Sequence, residues 1–445
     1  MFEIRGKYTT AKVMIDDVEE QCVAQITSMV NHPAFTNPMS IMPDTHSGKG
    51  SVIGLSMPLG DKIIPNIIGA DISCGMLAIN IGKSIPMKLS EIDHKIRKAI
   101  PFGFNVHNNP ILNMEKDFPW KEVDVEAHKF SLAYNQKFGT NIYHEEKYNF
   151  NWFEKKCKTI HADLGRIIKS IGTFGGGNHF CEFGHDGNDD YWFVIHTGSR
   201  NFGKCVCDYW QNMASKVIRD AKNEEFRNRI EEIRENYKGM EIKKKIKEAR
   251  KELGLDTFGN DKLSKDLQWL EGEDAHGYLY DMIFAQKYAE VNRAYIAKVI
   301  LNILKVDEVD RIETVHNFID FRDFIVRKGA IRSYAGERMI VPFNMRDGIL
   351  ICEGKSNEEW NCSAPHGAGR LMSRSQAKKK LKLEDFESQM DGIYSTSVVH
   401  STLDEAPGAY KDASVIEKAI EPTANILLKI KPIINMKDNG KKRKF

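Results

Sequence analysis

Short strand-like runs and helical periodicities alternate along the chain, and the chemically interesting residues sit where one pattern gives way to the next. Lys12-Val13-Met14-Ile15 is strand-like, and Val18, Cys22, Ile26 and Met29 at helical spacing predict a helix over 17–29. Residues 41–54 mix polar side chains with glycines at 48, 50 and 54, which predicts a loop leading into a strand. An apolar strand is then expected from Pro65 straight into Asp71 and Cys74. Residues 85–165 read as mixed helix and loop around an aromatic-rich middle. Strand-like runs end at His179, His196 and His316, each beside glycine or asparagine. Over 214–253 the pattern is charged and helical, with Glu/Lys pairs four apart and a break at Gly239, so a protruding helical hairpin is expected. Apolar positions throughout 266–304 predict a long core helix, 327–332 a basic turn, and 413 onward another helix. The fold class is α+β, with mixed sheets flanked by helices. With no internal repeat and no Pro-, Gly- or Ser-rich linker, 1–445 is expected to be one domain with a helical insertion at about 213–255.

Composition narrows the class. At 445 residues, 41% hydrophobic and 28% charged, the chain is globular rather than disordered. A net charge of +2 leaves any binding of nucleic acid to local patches. Eight scattered cysteines without a repeating spacing argue against a secreted disulfide framework. No apolar run approaches a membrane span, so a cytoplasmic protein with reduced thiols and no membrane partner is expected.

The chemistry concentrates in a few places. In the segment from Asn361 to Arg374, His366 lies among small residues, followed by Arg370 and Arg374. If a helix starts after Gly367, the two guanidiniums lie one turn apart, a clamp suited to phosphate beside a nucleophile-capable imidazole. Asp71, Cys74, His179, His196 and His316 supply a carboxylate, a thiolate and three imidazoles. That is too many for one tetrahedral ion with an open position and about right for two ions sharing Cys74. Ligand softness alone favours zinc. Two ions suit phosphoryl transfer, Arg200, Arg370 and Arg374 would neutralise phosphate, and His366 is left over as nucleophile.

Seven motifs in order extend this reading: Pro43-Asp44-x-His46-x-Gly48-x-Gly50, Gly69-x-Asp71-Ile72-x-Cys74-Gly75, Gly177-Asn178-His179-Phe180-x-Glu182, His196-x-Gly198-Ser199-Arg200, His316-Asn317, Arg327-Lys328-Gly329-Ala330 and His366-Gly367-Ala368-Gly369-Arg370-x-Met372-Ser373-Arg374. They resemble the RtcB family of GTP-dependent RNA ligases from about residue 40 to Lys437. The resemblance implies a compact α+β fold with a deep cleft. It implies joining of an RNA 2′,3′-cyclic phosphate or 3′-phosphate end to a 5′-hydroxyl end, with GTP and two manganese ions as cofactors. His366 would become guanylylated and pass GMP to the RNA 3′-phosphate. Asp71, Cys74, His179, His196 and His316 match the metal ligands. Asn178, Arg200, Arg370 and Arg374 match phosphate contacts, and Glu182, Tyr410 and Lys437 match positions around the guanine. Asn317 and Asn344 fall at further nucleotide positions, with Asp44, His46 and Lys328 in support. An archease-type activating protein is an expected partner.

The chain departs from the family at Phe343-Asn344-Met345-Arg346-Asp347, where the typical loop has small residues and Arg346 and Asp347 bring charge. The continuation Phe318-Ile319-Asp320 after His316-Asn317 is also unusual. Both suggest a divergent branch, tuned to RNA repair rather than tRNA splicing. The alternatives are a metal-dependent RNA-end phosphoesterase and a non-catalytic RNA-end binding protein.

Overall fold

The computed structural model describes residues 1–253, 255 and 265–440. Its strands, in chain order, are β1 (Phe2–Arg5), β2 (Thr10–Val13), β3 (Met39–His46), β4 (Ile53–Pro58), β5 (Gly75–Gly82), β6 (Phe180–His185), β7 (Tyr191–Thr197), β8 (Asp310–Val315), β9 (Phe318–Asp320), β10 (Ile325–Lys328), β11 (Ala330–Arg332), β12 (Arg338–Pro342), β13 (Ile349–Gly354), β14 (Ser363–Pro365) and β15 (Ala424–Lys437). They form a six-stranded sheet in the order β1-β2-β3-β4-β10-β9, a seven-stranded sheet β12-β13-β15-β6-β7-β5-β8, and the pair β11-β14. With helices packed around these sheets, the fold is α+β as expected.

The helix Gly272–Leu304 organises the packing. It is apolar nearly all round, burying Tyr278, Leu279, Met282, Phe284, Tyr288, Ile296 and Ile300, which is the signature of a helix enclosed by the core. Phe284 gathers Trp120, Trp152, Phe153 and Phe202 at ring distances of 5.7, 5.0, 5.3 and 5.0 Å. This accounts for the aromatic-rich stretch: helices Trp120–Phe138 and Phe150–Thr159 turn their rings onto this helix. Each buried ring contributes about 1.5–3 kcal/mol by area alone.

Several local expectations change. Pro65–Ile68 is a single helical turn, not a strand; Pro65 sits at its first position, where its missing N–H costs nothing. Residues 39–46 are the strand β3, and the polar loop is confined to 47–52. The basic turn at 327–332 is two strands, β10 and β11, hinged at Gly329 (φ 58°). The predicted hairpin is present as helices Arg200–Asn236 and Met240–Glu252, broken at Gly239 (φ 64°). The first of these begins earlier than the sequence pattern suggests, at Arg200 itself. Burial along it is dense to Ala214 and resumes only at Ile233, so the distal half is solvated.

Candidate active site

Strand register brings the metal-ligand candidates to one end of the seven-stranded sheet. Gly75 pairs with Thr197 on one side and Val315 on the other, and Phe180 pairs with His196. Cys74, His196, His316 and His179 therefore leave four adjacent strands at the same edge. A Cβ on Gly75 would lie 2.6 Å from the Thr314 carbonyl, so only glycine lets the strands come this close.

The side chains converge. Cys74 Sγ is 3.0 Å from His196 Nε2 and 3.4 Å from His179 Nε2. His316 Nε2 is 3.3 Å from His196 Nε2, and Asp71 Oδ2 is 2.8 Å from His179 Nε2. The opposite ring nitrogens fix the tautomers. His179 Nδ1 donates to the Phe174 carbonyl at 2.7 Å and His196 Nδ1 to the Asn178 carbonyl at 3.1 Å. A carbonyl only accepts, so Nδ1 carries the proton and the Nε2 lone pair faces inward, the usual support for a metal-ligating histidine. Burial, followed by His179 for His196 and by His366 for His316, pushes both imidazoles well below their ordinary values, so both are neutral. Burial opposes ionisation of Asp71, but His179 and the Arg200 guanidinium prevail and hold it at about 2. Burial, with Asp71 adding to it, pushes the Cys74 thiol well above its ordinary value; a cation would be needed to make it a thiolate. Cys74, His179 and His196 place one ligand atom each within 4.8 Å of one another. A soft sulfur with imidazole nitrogens fits a transition metal rather than calcium or magnesium.

His366 follows β14, which β11 holds in place. Its Nδ1 donates to Asp44 Oδ2 at 2.5 Å, and its backbone N–H reaches the same oxygen at 3.1 Å. Asp44 is fully buried on β3. The Nε2 lone pair of His366 is thereby exposed, and the ring stands 4.9 Å from that of His316. Gly329 passes so close that a Cβ there would lie 3.1 Å from His366 Cε1. His46 Nδ1 donates to the Asp44 carbonyl at 3.0 Å, and burial pushes its imidazole down to about 4. Lys328 donates to the carbonyls of Lys49 (2.5 Å) and Asn66 (3.0 Å), and burial brings it down to about 7. It ties the loop after β3 to the turn before Asp71.

A cleft of about 620 Å³ opens over this centre, lined among others by Asn178, Glu182, His196, His316, Asn317, Asn344, His366, Arg370, Arg374, Tyr410 and Lys437. No helix follows Gly367. The helix begins at Arg374, capped by Ser373 and Gln376, so Arg370 and Arg374 do not share a helix face. They meet through Glu405 instead, each 3.4 Å from its Oε1. Glu405 also accepts from Tyr410 Oη (2.7 Å) and Lys437 Nζ (3.0 Å). Burial works against its ionisation, but Lys437, Arg374 and Arg370 outweigh that and keep it below its ordinary value.

The other expected residues divide. Asn178 is exposed at the cleft, and Asn317 Oδ1 accepts from the Gly329 N–H at 2.9 Å. Burial pushes Glu182 up to about 8; the residue lines the cleft, and its Oε2 accepts from Asn435 at 2.7 Å while Oε1 has no partner among the described residues. Arg200 lies behind His179, with Nε donating to Thr173 Oγ1 at 3.1 Å. A Cβ on Gly175 would overlap its guanidinium, and one on Gly177 would sit 3.2 Å from that of Arg374, which explains the glycine run. Asn344 spends its side chain locally, on Asp347 (2.7 Å) and on the N–H groups of Arg346 and Asp347. Arg346 and Asp347 neutralise each other at 2.7 Å, so the departing loop presents little net charge.

Asn292 and Arg293, mid-way along the core helix, lie outside every motif and still support the site. Asn292 Oδ1 accepts from the N–H groups of Gly172 (2.7 Å) and Thr173 (3.1 Å), and its Nδ2 donates to the Gly198 carbonyl at 3.2 Å. Arg293 donates to the carbonyls of Ser73 (2.8 Å) and Thr197 (3.1 Å) and to Glu313 (2.6 Å). Two polar residues inside an apolar helix are the signal that could have exposed them.

Comparison with known proteins agrees with this geometry. The family model described as tRNA-splicing ligase RtcB matches residues 25–438. The RNA-splicing ligase RtcB of Escherichia coli K12 is 27% identical, covering 94% of this chain and 95% of its own. The tRNA-splicing ligase RtcB of Nanoarchaeum equitans is 23% identical over 97% and 94% of the two chains. With the family model spanning nearly its whole length, the chain belongs to the RtcB family.

Proposed function

We propose that the protein is a GTP- and manganese-dependent RNA ligase that joins an RNA 3′-phosphate, or a 2′,3′-cyclic phosphate opened to it, to a 5′-hydroxyl end. The observation that carries this is the pairing of His366 with buried Asp44 at the cleft, one ring away from His316 and the Cys74 cluster. Asp71, Cys74, His179, His196 and His316 would hold two manganese ions. When bound, such ions supply Lewis acidity to phosphate oxygens and offset their charge.

Asp44 keeps the Nδ1 proton of His366 and leaves Nε2 as the nucleophile. Nε2 attacks the α-phosphorus of GTP, a P–N bond forms, and the bond to the β-phosphate breaks with pyrophosphate leaving. An oxygen of the RNA 3′-phosphate then attacks the same phosphorus and His366 departs with its electron pair. The 5′-hydroxyl finally attacks the RNA phosphate, forming the phosphodiester and releasing GMP. Arg370 and Arg374, braced on Glu405, face the phosphates with planar donors. Glu182 and Lys437 also line the cleft, and the carboxyl oxygen of Glu182 that lacks a partner among the described residues suits the N–H edge of guanine.

The test incubates the protein with manganese, GTP and a pair of RNA oligomers ending in a 2′,3′-cyclic phosphate and a 5′-hydroxyl, with an archease-type protein added in a parallel reaction. A joined RNA that requires GTP, and that ATP does not support, is the expected result. Loss of the terminal phosphate without GTP would replace the ligase with a phosphoesterase.

A further inference from the structure

Phe104 is 92% exposed, the most exposed large hydrophobic side chain among the described residues. Single exposed apolar residues are ordinary, but the backbone that carries this one is tied down on both sides. Beneath it, the Phe102 ring stacks on Phe174 at 4.6 Å, and Phe174 N–H donates to the Pro101 carbonyl at 3.0 Å. Gly103 N–H donates to the Gly175 carbonyl at 2.8 Å, and Arg166 donates to the carbonyl of Phe104 itself. Gly103 adopts φ 67°, and a Cβ there would run into Asp438, so the backbone turns at the one residue type that fits. The result is an aromatic ring pushed into solvent by a pinned loop.

Its position relates it to the cleft. Gly103 abuts Gly176: a Cβ on Gly176 would lie 3.5 Å from Gly103 Cα. The next residue, Gly177, underlies the Arg374 guanidinium, and Asn178 then lines the cleft. Phe104 does not line the cleft; the exposed Arg166 holds its carbonyl, and the Gly103–Gly176 contact links its loop to the segment that carries Asn178. Asp438 lies beside Gly103. An exposed ring with the Arg166 guanidinium at its backbone, on a segment leading toward the cleft, matches how proteins hold single-stranded nucleic acid: bases stack on aromatic faces while cations follow the backbone.

The geometry points to Phe104 as a stacking platform for an unpaired base near the RNA end being joined, a subsite outside the reaction centre. The inference rests on the ligase reading, because that reading brings an RNA end to the cleft. The platform is indifferent to base identity, since every base has a π-face.

The test compares wild type, F104A and F104W for binding of fluorescent RNA with a 3′-phosphate or a 5′-hydroxyl, at fixed salt, with abasic nucleotides placed at successive positions from the end. Labelling by GTP without RNA is measured in parallel. F104A should bind one of the two RNA ends roughly tenfold more weakly, with unchanged melting temperature and unchanged GTP labelling, and F104W should restore binding. One abasic position should weaken wild type to the level of F104A and leave F104A unaffected. Equal binding by wild type and F104A, or a defect that no abasic position cancels, would overturn the platform. Absence of GTP labelling in the wild type would instead remove the ligase reading, whatever the binding result.

Discussion

His366 has two hydrogen bonds to one oxygen of Asp44, and both come from its own N–H groups. Asp44→Asn keeps the volume but can present an amide N–H where an acceptor is required, favouring the wrong tautomer of His366. Transfer of GMP to the protein should fall by about 10³–10⁴-fold, by the precedent of a triad aspartate, with circular dichroism unchanged; a normal rate would remove Asp44 from the mechanism. Glu182 gives a pH prediction. Burial raises its folded value to about 8, above the ordinary 4.5. The folded protein therefore holds a proton that the unfolded chain has lost, so this group's contribution is full below 4.5 and is lost as pH rises through about 8. Wild type should lose thermal stability across that window more steeply than Glu182→Gln, measured as melting temperature against pH. Reactive residues of this kind are legible in the sequence because each lies in a short motif. Glu405 is not, because its importance comes from the three cations, Arg370, Arg374 and Lys437, that fold onto it from elsewhere.

Elements explain why some expectations fail. Arg370 and Arg374 are four apart, and spacing alone places them on one helix face. Ser373 caps a helix that starts only at Arg374, and Glu405 brings the two guanidiniums together by charge rather than periodicity. The strand expected at 65–70 is apolar because it is buried, and burial does not distinguish a helical turn from a strand. The core helix is the opposite case: its apolar pattern is plain, yet the pattern conceals the clamp at Asn292 and Arg293. Arg293→Met would leave the Ser73 and Thr197 carbonyls without their donor. Stability should fall by about 2–6 kcal/mol, from one to three for each abandoned buried group, and metal affinity by about 10–100-fold. Denaturant titration and metal titration would check the two effects, and an unchanged metal affinity would reduce Arg293 to a packing residue.

At the scale of the molecule, the cleft forms where chain segments far apart in sequence meet: β3, the ends of β5 to β8, the segment after β14, and β15. Folding and site formation are therefore coupled, and a bound cation should stabilise the whole. Manganese at a hundredfold excess over its dissociation constant should add about 2.7 kcal/mol, and Cys74→Ser should abolish most of that gain. Because the Cys74 thiol must release its proton on binding, metal affinity should rise with pH. Among the described residues no helix is long and apolar enough to cross a membrane.

If the proposed ligation runs as written, His366 carries the nucleotide. The most direct measurement incubates wild type and His366→Ala with manganese and GTP labelled at either the α- or the γ-phosphate, without RNA, and locates the label on the protein. Wild type alone should carry α-label, attached to His366 through an acid-labile P–N bond, and neither protein should carry γ-label. Label retained by His366→Ala, or γ-label on the wild type, would contradict it.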